Sequence, residues 1–386
     1  MSVRQTRRGD PHPLRLFRAV VTGSTDLSVS NLGPGFIEEA LGRGFGPMLA
    51  HVGRGVDGGP FADRIRSADL TARVLTADKL TTIEEVLEAA QAVGCRVALL
   101  KGAATALRYY PAPHLRTMGD VDLLVDNDAR EALAERLRGR GFRQCFVPAA
   151  ALTHMKHHDV PFWYPQSGVW IDLHTGLHPP TSLSASLARF SPAVLASRFS
   201  PIAVGNQTAY AMCHELQLVY TSARWSEAFD SQRGVYPILD AALLLQKHGQ
   251  ALDWDQVKAM VCGSWAVTAL RVLLSLLDAC RLARVPGDVL RWLAARDRHA
   301  NRISIGLLHR LVTRYMMGSP PAGAVMSEGT VPLIWSALLQ PARPYGNILR
   351  IPYYVAFPPG AVDRYSPGRA ARRIRTVVRR ALRTAS

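Results

Sequence analysis

The segment Asp120-Val121-Asp122-Leu123-Leu124-Val125 constrains this chain more than any other. Its valines and leucines suit a pleated, buried strand, on which residues two apart share a face. The carboxylates of Asp120 and Asp122 then project together, while Val121 and Leu123 turn to the opposite side. Like charges held side by side repel, and an oxygen-bound divalent cation relieves them. Mg²⁺ commonly binds one or two carboxylates plus substrate phosphates. Two such ions can activate an attacking oxygen and stabilise a departing pyrophosphate. An Asp-x-Asp alone is common in surface loops, so the flanking elements must carry the argument.

Those elements spell a small α/β core. Thr81 or Thr82, followed by Glu84 and Glu85, resembles a capping box and predicts a helix with Ile83, Val86, Leu87, Ala90 and Val93 buried, ended by Gly94. Cys95 to Leu100 is too short and apolar for a helix and reads as a buried strand. Lys101-Gly102 breaks it, and helical composition follows from Ala103 to Tyr110, stopped by Pro111 and Pro113. After the strand Val121 to Val125, Asn127 or Asp128 caps a helix running to Gly139. Two more strands are expected at Asp159 to Tyr164 and Val169 to His174. The second carries Asp172 among apolar neighbours, where a lone charge is costly without a metal or a hydrogen-bond partner.

Outside this core, the Gly- and Pro-rich first 60 residues predict a loosely ordered leader with one short helix near Phe36 to Leu41. From about residue 208 onward the pattern is helical, with segments at Ala209 to Ala223, Tyr236 to Lys247, Trp254 to Met260, Val267 to Leu282 and Val289 to Ala295. The expected architecture is α+β: residues 1–79 as leader and helical segment, 80–205 as a small mixed-sheet core, 206–345 as a helical domain, and 346–386 as a basic C-terminal segment.

The net charge of +16 is concentrated at the ends. Residues 1–20 hold five Arg against one Asp, and residues 361–386 hold eight Arg against one Asp. Such tails can touch nucleic acid, an anionic membrane or an acidic partner by salt-sensitive attraction, and charge alone does not choose among them. No window holds 18 consecutive apolar residues, and the Arg-rich start lacks a secretory apolar region. Five cysteines, widely spaced and without a Cys-x-x-Cys pair, read as reduced residues of a cytoplasmic protein.

In combination, Leu99-Leu100-Lys101-Gly102, Arg116, Asp120 to Val125 and Ile171-Asp172-Leu173-His174 resemble the uncharacterised nucleotidyltransferase group of the polymerase-beta-like superfamily. The resemblance extends through Asp240 and Asp253-Trp254 to Phe357-Pro358-Pro359. It implies transfer of a nucleotidyl group from a nucleoside triphosphate such as ATP to an acceptor, with Mg²⁺ or Mn²⁺ held by Asp120 and Asp122. Asp172 would serve as third ligand or help deprotonate the acceptor, and His174 would orient or contact phosphate. The wider superfamily places Gly-Ser where this chain has Lys101-Gly102-Ala103. Lys101 could replace the missing hydroxyl as a point charge on phosphate, or merely cap its strand. Gly102 would let backbone amides approach, and Arg116 is either a phosphate clamp or a solvated loop arginine. The acceptor stays open among small molecule, peptide and RNA, the last as in toxin-like relatives. The altered Lys-Gly-Ala element also suits a noncatalytic nucleotide sensor or scaffold.

Weaker signals are His154, His157 and His158 beside Lys156, and the pair His174 and His178, each a metal candidate or an ordinary polar group. Cys213-His214-Glu215 has the residues of a nucleophile but sits in a helical pattern. Arg369 to Arg383 forms a basic amphipathic stretch suited to a membrane surface, to RNA, or to solvent.

Overall fold

The computed structural model describes residues 12–25, 27–54, 59–145, 161–177, 197–227, 235–261, 264–297 and 302–313. The three histidines at 154–158, His178, the Phe357-Pro358-Pro359 segment and the basic C-terminus lie outside these residues. The fold is α+β, with helices on both sides of one mixed sheet.

The N-terminal region differs from the expected leader. It forms helices α1 (His12–Thr22), α2 (Pro34–Gly42) and α3 (Gly46–Val52), plus a two-residue parallel pairing of β1 (Leu27–Ser28) with β2 (Gly53–Arg54). The glycines and prolines punctuate short helices rather than dissolve them. Leu16, Phe17, Met48 and Leu49 are fully buried. The next helix, α4 (Ala62–Ala92), starts some twenty residues before the predicted capping box. Thr82 is not a cap but a buried mid-helix residue, its hydroxyl bonded to the Asp78 carbonyl oxygen and to Ser167 Oγ. Gly94, at φ +67°, ends the turn as expected, and the Cys95 amide donates back to the Ala90 carbonyl.

The sheet is assembled from β3 (Val97–Leu99), β4 (Val121–Val125), β5 (Arg143–Gln144), β6 (Phe162–Tyr164), β7 (Val169–His174), β8 (Phe199–Val204) and β9 (Gln207–Met212). Their spatial order is β5-β6-β7-β4-β3-β9-β8. Helices α5 (Lys101–Arg108) and α6 (Arg130–Gly139) follow β3 and β4. Strand β4 lies at the centre, antiparallel to β3 and parallel to β7. Its odd residues Val121, Leu123 and Val125 pack with Ile171 and Leu173 of β7 into a core closed by Ile83 and Val86 of α4 and Leu133 and Leu137 of α6.

The stretch expected as a helix from Ala209 to Ala223 is divided. Residues 207–212 belong to β9, whose small alternate residues Ala209 and Ala211 are fully buried, and only α7 (His214–Glu227) is helical. A two-residue turn at Gly205-Asn206 joins β8 to β9, with Gly205 at φ +54°. Alanine's helical preference here loses to strand pairing. The remaining helices are α8 (Tyr236–His248), α9 (Trp254–Met260), α10 (Ser264–Ala279), α11 (Gly287–Arg296) and α12 (Arg302–Leu311). Together with α1 to α3 they share a second continuous core that includes Phe17, Met48, Trp225, Leu239 and Leu273. The start of the chain and its helical part are thus one packed body over the second face of the sheet. Among the described residues no helix is long and apolar enough to cross a membrane, and Cys95, Cys145, Cys213 and Cys280 are free thiols.

Candidate active site

The parallel pairing of β4 with β7 sets Asp122 opposite Asp172 and Leu124 opposite His174. Because alternate residues share a face, both carboxylates and the imidazole turn away from the apolar core of α4 and α6. Asp122 is 5% exposed and His174 2%. One ligand atom from each of Asp122, Asp172 and His174 lies within 4.8 Å of the others, a group able to hold a metal ion. Asp120 sits half-buried in the bend just before β4, lining the same cavity as Asp122.

The electrostatics of the pair are unequal. Burial pushes the Asp122 carboxyl up, but the His174 hydrogen bond and the Lys101 charge outweigh it and hold Asp122 well below the ordinary carboxylate range. Asp172 goes the other way, pushed up to about 6 by burial and by the charges of Asp122 and Asp120, against the opposing pull of Lys101. Lys101 Nζ lies 2.5 Å and His174 Nε2 2.7 Å from the same oxygen, Asp122 Oδ1. An ionised carboxylate only accepts, so the His174 nitrogen facing it donates. Burial lowers the His174 pKa, although Asp122 opposes this.

These residues fit a divalent cation. Two carboxylates in register carry a repulsion visible in the raised Asp172, and a lysine ammonium already stands where positive charge is wanted. Lys101 is held there by its backbone: at φ +46° it occupies the left-handed region, costing an L-residue about 1–2 kcal/mol. The strand therefore ends by aiming a cation at Asp122. Gly102 has a steric reason beside the expected one. A Cβ there would meet Met118 Cγ at 2.7 Å, with Arg116 Nη1 at 3.5 Å.

A cavity of about 560 Å³ opens over Asp120 and Asp122, bounded by Lys101, Gly102 and Thr105 on one side and by α7 and α8 on the other. Arg43 from the N-terminal region also lines it, and next to it Gly44 offers its carbonyl to Tyr236 Oη at 3.1 Å. Arg116 lies at the far side, neither solvated nor free. Its Nε and Nη2 donate to the two carboxylate oxygens of Asp240 at 2.9 and 3.1 Å, and Nη1 donates to the Thr117 carbonyl oxygen at 2.8 Å. The Tyr236 ring covers the guanidinium at 4.3 Å, and Tyr110 Oη donates to Asp240 at 2.7 Å. Two of the five guanidinium N–H donors remain.

Sequence reasoning saw Asp240 only as the start of a matching segment and did not single out Tyr236, Gln217 or Arg224. A carboxylate inside Ile238-Leu239-Asp240-Ala241-Ala242 was the available signal, since a charge there needs a partner. Cys213 is no activated thiol. Burial is the main cause raising its pKa.

Two neighbouring strands thus bring Asp122, Asp172 and His174 into a group that could hold a metal ion, with a helical wall facing Asp122 across a cavity. Residues 54–284 match the family described as uncharacterised nucleotidyltransferase, and the chain belongs to that family. Neither the curated proteins nor the solved structures include a match.

Proposed function

We propose that the protein is a metal-dependent nucleotidyltransferase that moves a nucleoside monophosphate from a triphosphate to an acceptor, working in the cytoplasm. The observation that carries this reading is the in-register pairing of Asp122 with Asp172 beside a cavity and a tethered lysine. Asp120, Asp122 and Asp172 would hold Mg²⁺ or Mn²⁺, which supplies charge neutralisation on the triphosphate and lowers the barrier to in-line displacement. In the transfer, an acceptor oxygen would form a bond to the α-phosphorus while the bond from the α-phosphorus to the α,β-bridging oxygen breaks, that oxygen leaving on the β-phosphorus as part of pyrophosphate, and the acceptor proton would pass to a carboxylate. Asp172, half-buried beside Asp122 and with a raised pKa, is the carboxylate assigned to that proton where it does not serve as third ligand.

Around this centre the other side chains divide the work. His174 donates to Asp122 Oδ1 and so fixes which way that carboxylate points. Lys101, released from Asp122, would act as a point charge on phosphate, and Gly102 would let the adjoining backbone come close. Arg116 can offer phosphate only the donors that Asp240 and Thr117 leave over. The helical part shapes the acceptor side, whether the acceptor is a small molecule, a peptide or RNA.

The test is incubation of the full chain with each labelled nucleoside triphosphate, Mg²⁺ and a panel of acceptors. Pyrophosphate release that disappears in Asp122→Ala is the expected result. Triphosphate binding without release from any pair would convert the reading to that of a nucleotide sensor.

A further inference from the structure

Four cationic side chains line the cavity: Arg43, Lys101, Arg116 and Arg224. Three are committed. Arg43 is paired with Glu39, Lys101 with Asp122 and Arg116 with Asp240. Among the described residues the Arg224 guanidinium has no hydrogen bond and no ion pair, although the residue is half-buried. A guanidinium carries five donors in a planar fork, and one that lines a cavity with no protein partner has them all available to an entering anion. Its charge reaches the carboxylate strands, being among the influences that lower the His174 pKa.

A second unmatched group stands on the same helix. Gln217 is 1% exposed and lines the cavity, and its Nε2 donates to Thr221 Oγ1 at 2.9 Å. Its Oε1 is buried without a hydrogen-bond donor. Residues 217, 221 and 224 follow the helical repeat, so they form one stripe on the cavity side of α7. Seven residues of helix span about 10 Å, which separates a phosphate-binding end at Arg224 from a nucleoside-binding end at Gln217 by the reach of one extended nucleotide.

We infer that this face of α7 is the nucleotide-gripping wall, with Arg224 taking the phosphates and Gln217 Oε1 accepting from a hydroxyl or amino group of the nucleoside. The assignment rests on the triphosphate reading above and adds to it which residues hold the two ends of the substrate. It also adds a phosphate contact on a helix some hundred residues after Arg116, which the sequence left open as clamp or solvated loop arginine.

The experiment is calorimetric titration of the full chain in Mg²⁺ with inorganic triphosphate and with each of the four nucleoside triphosphates. Arg224→Ala should weaken inorganic triphosphate and the nucleotides alike by about 10- to 100-fold, the scale of a charge-assisted bidentate contact. Arg224→Lys should recover part of that loss, because lysine supplies charge without the fork. Gln217→Leu, close in shape, should weaken nucleotides by about tenfold and leave inorganic triphosphate unchanged, which also shows that the variant is folded. A loss equal across the four nucleotides points to a ribose hydroxyl, and one confined to particular bases points to a base amino group. Undiminished triphosphate binding by Arg224→Ala, or equal weakening of both probes by Gln217→Leu, overturns the assignment while the transferase reading stands. A wild-type chain that binds none of the probes overturns both.

Discussion

The cavity has two walls, and each holds a carboxylate against a cation. On the sheet side, Lys101 and His174 both converge on a single oxygen of Asp122. On the helical side, Arg116 bridges both oxygens of Asp240, with Tyr110 donating from behind and Tyr236 covering the guanidinium. The Lys101 side chain is 28% exposed, whereas that of Arg116 is 12% exposed. An ammonium on a flexible stem, held at one oxygen by a strained backbone, can be exchanged for another cation. A planar fork seated on two oxygens under an aromatic ring cannot be removed without opening the wall. The same pair of charges is thus partly open at one wall and closed over at the other, which is what the proposed metal site needs.

The strongest test of that contrast is to remove each carboxylate partner and ask what fails. Asp122→Asn should cut pyrophosphate release by about 10²–10³-fold, the scale of losing one charge-stabilising contact to a transition state, and should lower the stability of the metal-free chain by less than Arg116→Ala does, because the asparagine oxygen still accepts from Lys101 and His174. Arg116→Ala should instead cost about 3–5 kcal/mol of folding stability, because Asp240 is left buried and uncompensated. The double variant Arg116→Met, Asp240→Leu should recover much of that loss in denaturant unfolding. Similar stability losses from Asp122→Asn and Arg116→Ala would erase the distinction. A smaller effect separates metal from scaffold. Asp172→Asn removes a like-charge repulsion, so the metal-free variant should melt about 1 °C higher for ~1 kcal/mol, the response expected from an unfolding entropy of about 2 cal/mol/K per residue in a chain this long. It should also lose the upward shift that Mg²⁺ gives the wild type.

The sheet wall was legible in the sequence, and the helical wall was not. Strands β4 and β7 were read to the residue because alternation is local: Val121, Leu123, Ile171 and Leu173 declare their face, and Asp122, Asp172 and His174 follow by parity. The partner of Arg116 lies 124 residues away on α8, and nothing near Arg116 reports it. The first 60 residues read as a loose leader with one short helix because their glycines and prolines are real breakers. What orders Phe17 and Met48 is the helical part that follows residue 212, a contact that no local pattern encodes. Strand β9 failed for a related reason. The alanines at 209 and 211 favour a helix alone, and pairing with β8 and β3 overrules them. The unmatched Arg224 and Gln217 could be found only after the partners of every neighbouring charge were known.

Acid supplies the finest probe, because the two sides of the molecule respond to it in opposite directions. His214, where α7 begins, stacks on His248 at 3.8 Å and meets Tyr109 Oη at 3.1 Å. Burial first, then the charges of Arg108 and His248, push its pKa from 6.5 down to about 4. Between those values the unfolded chain binds a proton that the folded chain refuses, so this group's contribution is present above pH 6.5 and is lost as pH falls toward 4. Asp172 has the reverse sign. Its pKa rises from 3.8 to about 6, so the folded chain takes the proton first, and the cost of its charge, fully present above about pH 6, is relieved on the way down to 3.8. In the wild type these slopes oppose each other across the same window. Thermal unfolding in metal-free buffer from pH 7.5 to pH 4.5 should show His214→Phe losing less stability on acidification than the wild type, and Asp172→Asn losing more. Referring both variants to the wild type cancels every other titrating group, so equal pH profiles for all three chains would show that neither wall carries the charge balance assigned to it.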